Sequence, residues 1–111
     1  MQEKNYESLL EKILDPKDLI AYQEGSVVSR MAVYKKSGTI TLFAFAAGEG
    51  LSEHTAPFDA LAMILDGEAD ITIAGSDYHL TAGEMIIMPA NKPHSLRAVQ
   101  KFKMMLTMIH E

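Results

Sequence analysis

From Gly25 onward the chain is a succession of short β-branched and aromatic runs cut by glycine and proline, and no other feature constrains its fold as tightly. The runs are Val27-Val28, Met31 to Tyr34, Thr39 to Phe45, Leu61 to Leu65, Ala69 to Ile73 and Lys101 to Ile109. Between them stand Lys36-Ser37-Gly38, Gly48-Glu49-Gly50, Asp66-Gly67, Gly75-Ser76-Asp77, Ala82-Gly83 and Pro89 to Pro93. Strands so short and closely spaced, in a chain of 111 residues, predict a β-sandwich or small barrel rather than βαβ units. Asp66-Gly67 and Gly75-Ser76-Asp77 read as hairpin corners, because glycine supplies the positive φ that such turns need. Phe102, Met104, Leu106 and Met108 alternate along one face of a closing strand. Ahead of the strands, Leu9, Leu10, Ile13 and Leu14 stand at helical spacing and Asp15-Pro16 is a stop, which predicts one short helix over Tyr6 to Leu14. The expected organisation is a helix and lead-in over residues 1–24 and a single β domain over 25–111.

Composition narrows the function classes. Ten Lys+Arg against 15 Asp+Glu give a net charge of −5, a poor match for phosphate backbones, so no nucleic-acid partner is expected. With 48% hydrophobic and 23% charged residues the chain can build one core. The absence of cysteine removes disulfides, thiolate metal sites and Cys nucleophiles, and fits a reducing cytoplasm. No run approaches the ~20 apolar residues of a membrane span, and the acidic opening MQEKNYESLLEKILD is unlike a secretory signal, so neither membrane nor export is expected. Gly48-Glu49-Gly50 lacks the third glycine of a dinucleotide loop, and no Gly-Lys-Ser/Thr occurs. The methionines, including Met85, Met88, Met104, Met105 and Met108, read as core fillers.

Four histidines remain as candidates for proton transfer or ligation. His110 stands beside the C-terminus and is expected to be solvated. His79 lies between Tyr78 and Leu80, so alternation sends it to the surface. His54 and His94 stand in more informative surroundings. Gly48, five residues, His54, Thr55, Ala56, three residues, Ala60, six residues and Gly67 follow one spacing. Gly83, five residues, Pro89, Ala90, Asn91, two residues, His94, three residues and Ala98 follow another.

On these spacings the chain resembles a small single-domain cupin of the RmlC-like, conserved-barrel type, whose motifs read G-x5-H-x-H-x3-E-x6-G and G-x5-P-x-G-x2-H-x3-N. The resemblance implies an all-β antiparallel barrel or jelly roll, preceded here by the short helix. Family metal sites generally take three histidines and a glutamate, which implies a divalent metal such as Zn, Ni, Mn or Fe. This chain keeps His54 and His94 but has Ala56 and Ala60 at the other two ligand positions. Asp59 is the nearest replacement third ligand, although strand parity aims it away. Two imidazoles alone predict weak metal binding.

By alternation, Ala56 and Phe58 face inward with His54, Ala60 and Ala62 with Ile64, and Leu96 and Ala98 with His94. That wall predicts a pocket for a small organic ligand, with the two histidines as polar anchors. A metal-dependent enzyme of isomerase, decarboxylase or dioxygenase type, with an incomplete ligand set, is the alternative. The resemblance also implies a homodimer, for which Val27 to Tyr34 offers an edge.

Overall fold

The computed structural model describes residues 6–111. It contains eight antiparallel strands: β1 Val27–Lys35, β2 Gly38–Phe45, β3 Gly50–His54, β4 Ala60–Ile73, β5 Ser76–Thr81, β6 Met85–Met88, β7 His94–Arg97 and β8 Phe102–Ile109. They form one curled sheet in the order β1-β2-β8-β4-β7-β3, with β5 and β6 also paired to β4. β4 organises the whole. Its first half pairs with β6 and β8, and its second half with β5 and β7. One 14-residue strand therefore serves both walls of the barrel.

The change of wall occurs at Asp66-Gly67, which corrects the hairpin corner expected there. The β4–β8 register shifts between Ile64 and Asp66, and Gly67 takes φ +75°. A bulge of this kind bends and twists a strand without ending it. The other expected corner is a turn: Ile73 pairs with Ser76 across Ala74-Gly75.

Inward positions of both walls meet in a core of Phe45, Ile64, Ile71, Met88, Phe102 and Met104, all at most 2% exposed. The rings of Phe45 and Phe102 stack with centroids 4.4 Å apart. A second cluster lies on the opposite face of the β2–β8 wall, where Leu19, Ile20 and Tyr22 of the lead-in pack on Leu42, Ala44, Leu65 and Met105. Three hydrogen bonds tie that segment down: Tyr22 Oη to Asp66 Oδ2 at 2.6 Å, Arg30 Nη1 to the Leu19 carbonyl at 2.9 Å, and Lys103 Nζ to the Lys17 carbonyl at 2.6 Å.

The predicted N-terminal helix is not formed. Among the described residues only single 3-10 turns occur, at Glu7–Leu9 and Pro16–Asp18. Leu10 is already extended, and Leu10 and Ile13 are exposed. An isolated helix under about 12 residues is marginal in water, and of the four residues meant for its apolar face only Leu9 is even half-buried, while Leu14 joins Leu10 and Ile13 in solvent. No helix among the described residues is long and apolar enough to cross a membrane.

Candidate functional site

His54 closes β3 and His94 opens β7, and the two are cross-strand register partners. Leu51 pairs with Leu96, yet the next pair is His54 with His94, so three steps on β3 oppose two on β7. This irregularity lets His54 share a face with Leu51, which simple alternation would forbid. The rings meet edge to face, with centroids 4.4 Å apart and planes at 70°. His94 is buried and His54 exposed, which puts the pair at the rim of the core.

Both rings are held the same way. His54 Nδ1–H donates to the Ser52 carbonyl at 2.7 Å, and His94 Nδ1–H donates to the Lys92 carbonyl at 3.2 Å. A carbonyl oxygen can only accept, so each neutral ring carries its proton on Nδ1 and presents a lone pair at Nε2. Burial pushes the His94 pKa below the ordinary histidine value, and the neighbouring His54 adds to the effect, while the bond to Lys92 opposes it.

The inward positions fall as alternation requires. Ala60, Ala62, Ile64, Leu96 and Ala98 are 0–4% exposed. They belong to the same packed cluster as Phe45 and Phe102, so large side chains occupy the space behind them. Ala56 is half-buried, and its carbonyl accepts the Asn91 amide at 2.8 Å. Phe58 is drawn instead to the end of β8, where its ring lies 4.3 Å from that of His110. His110 is accordingly half-buried rather than solvated.

The expectation of Asp59 as a third metal ligand is corrected. Its Oδ1 accepts the Ala90 amide at 2.8 Å, bracing the loop between β6 and β7. Among the described residues no group of three or more His, Cys, Asp or Glu is placed to hold a metal ion. The donor set at the rim is thus two imidazoles, and methyl groups stand at the other two family ligand positions. A resident ion of the three-histidine, one-glutamate kind does not fit these residues.

His79 does face outward, but its partners were not foreseen. Nδ1 lies 2.7 Å from Asp70 Oδ1 and Nε2 lies 2.7 Å from Glu68 Oε1. The signal was present: a turn at Ala74-Gly75 sets Asp70 opposite His79, with Glu68 two residues along the same face. The bonds to Asp70 and then Glu68 raise the His79 pKa. Stability from this imidazolium is full below the ordinary histidine value of about 6.5 and is lost as pH rises through the higher folded-state value. Thermal unfolding across neutral pH should therefore show a decline of the midpoint on the alkaline side that is flatter in His79→Gln.

Comparison with known proteins agrees with this architecture. A family profile described as cupin domain matches residues 41–110, and the chain belongs to the cupin family. A conserved protein of unknown function from Streptococcus pyogenes is 35% identical, with a TM-score of 0.86 over 91% of this chain and 89% of that one. A cupin superfamily protein from Desulfitobacterium hafniense is 33% identical, with a TM-score of 0.86 over 91% of this chain and 93% of that one. A cupin 2 conserved barrel domain protein from Leptotrichia buccalis is 37% identical, with a TM-score of 0.81 over 84% of this chain but only 45% of that one. No curated protein matches the chain.

Proposed function

We propose that this cupin binds a small organic molecule at the barrel rim, seated by His54 and His94 without a resident metal. The observation that carries the reading is the commitment of both Nδ1 atoms to backbone carbonyls. It leaves two neighbouring Nε2 acceptors, which suit a ligand offering two hydroxyl or amide donors. The packed Ala60, Ala62 and Ala98 wall supports a ligand lying over the rings rather than deep behind them. The test screens small polyols and amides against tag-free protein by NMR, following the His54 and His94 ring resonances. Hits should shift both rings and lose at least about tenfold in affinity in His54→Ala/His94→Ala, the scale of a lost hydrogen bond to a buried partner. Near-stoichiometric metal in the purified protein, absent from that variant, would replace this reading with the metal-dependent enzyme.

We also propose that the protein acts as a homodimer. β1 is an edge strand, and the outward face of the same β1-β2-β8-β4-β6 wall carries an apolar band. Met85 and Ile87 are 53% and 56% exposed and lie beside their register partners Met63 and Leu61. A band of this kind fits a second copy of itself around a two-fold axis. Sedimentation should give twice the chain mass, and Ile87→Glu should give the monomer; a wild-type monomer at micromolar concentration would refute the dimer.

A further inference from the structure

The opposite face of the β5-β4-β7-β3 wall carries a polar trough. Ala69, Ile71, Leu80, Leu96 and Ala98 are buried, so the alternate residues Asp70, Thr72, Asp77, His79, Ser95 and Arg97 face outward. These six line a cavity of about 420 Å³. A cleft of about 350 Å³ adjoins it, sharing Ser95 and Arg97 and running to Gly50 and Ser52 on β3.

The charges in this trough are arranged unusually. Asp70 is the register partner of both His79 and Arg97, and opposite charges facing each other across strands ordinarily pair. Here Asp70 Oδ1 is taken by His79, and among the described residues no ion pair joins Asp70 to Arg97. His79 meets a carboxylate at each ring nitrogen; a neutral ring could donate to only one of them, so the arrangement calls for the imidazolium. That cation fixes Asp70 by one oxygen and leaves Oδ2 uncommitted. Thr72 Oγ1 likewise donates to Asp77 Oδ1 at 2.7 Å. The result is a free guanidinium and a free carboxylate oxygen on neighbouring strands, lining one cavity.

Glu68, Asp70 and Asp77 outnumber Arg97 and protonated His79, so a simple anion meets a slightly negative surface and a simple cation meets Arg97. A ligand carrying both signs meets neither penalty. We propose that the trough binds a small zwitterion of the amino-acid class, its carboxylate on the planar Arg97 fork and its ammonium on Asp70 Oδ2, with Ser95 as an additional donor. This site is independent of the histidine pair, since His94 faces the core while Ser95 and Arg97 face away from it.

The test is a set of amide NMR titrations with glycine, β-alanine and 4-aminobutyrate, whose charge separation increases in that order, against acetate and ethylammonium. One amino acid should shift the amides of Asp70, His79, Ser95 and Arg97, with both single-charge probes at least about tenfold weaker, as loss of one charge-assisted contact implies. Arg97→Gln, an exposed position that leaves the core intact, should remove the shifts, and His54→Ala/His94→Ala should keep them. Three results would overturn the proposal: acetate binding as tightly as the best amino acid, shifts that map to His54 and His94 instead, or no shifts with any probe.

Discussion

Replacing Phe102 with alanine is expected to lower the free energy of unfolding by about 3–5 kcal/mol, the range for truncating a buried aromatic ring. Phe102 is fully buried, stacks on Phe45, and pairs with Phe45 on β2 and Gly67 on β4. It thus joins the closing strand to both of its neighbours. The cost should fall in the upper part of the range because Ala60, Ala62, Ala69 and Ala98 share the cluster. Alanines have no side-chain torsions with which to fill the space left behind, and unrelaxed cavities are the expensive ones. At about 4–8 °C per kcal/mol for a domain near this size, the midpoint should fall by more than about 10 °C. Urea unfolding followed by far-UV circular dichroism measures it. Ile109→Ala, at an exposed strand end, serves as the control and should stay within about 0.5 kcal/mol. A Phe102→Ala loss under about 1 kcal/mol would mean that the ring is not packed as described.

What could be read from the sequence divides along physical lines. β2 and β8 were legible because Thr39 to Phe45 and Lys101 to Ile109 combine strand-forming side chains with alternation, and a half-buried sheet needs little more. The N-terminal helix was misread for a related reason. The spacing of Leu9, Leu10, Ile13 and Leu14 shows what a helix could bury, but only a complementary groove stabilises it, and that belongs to the tertiary structure. Asp66-Gly67 shows a different limit. Positive φ at a glycine serves a hairpin turn and a bulge equally well, and only the partner strands reveal that β4 continues through it. At the rim, the family resemblance carried by the glycine-anchored spacings implies that His54 and His94 meet, and their rings do lie in contact, but the β3 irregularity that aligns them leaves no compositional trace. The Asp70–His79–Glu68 cluster needed the register as well as the parity: parity alone sent His79 outward without saying what it would meet.

Gly67→Ala should be the most damaging of the glycine substitutions in the turns and bulges, costing about 2–5 kcal/mol from two separable sources. The first is conformational: φ +75° is the left-handed region, which costs a residue bearing a Cβ about 1–2 kcal/mol. The second is steric, because a Cβ at Gly67 would run into the Lys101 carbonyl oxygen and press on the Phe102 Cα. Backbone cannot swing aside as a side chain can, and overpacking of this kind adds about 1–3 kcal/mol. Gly75→Ala separates the two, since Gly75 has φ +85° but nothing within 4 Å of the would-be Cβ. It should cost only the conformational part. The difference between the variants, measured by the same urea unfolding, is then the cost of prising β8 from β4 at the bulge. That displacement should be visible at both candidate sites. β4 leaves the bulge toward Asp70, which faces His79 and Arg97, and Ile73, which faces His94, so a shifted bulge re-aims both faces of the wall. Amide shifts at Asp70 and His94 in folded Gly67→Ala, absent in Gly75→Ala, are the expected signature. Equal stability losses in the two variants would instead place the whole cost in the dihedral and leave the strand contact without an energetic role.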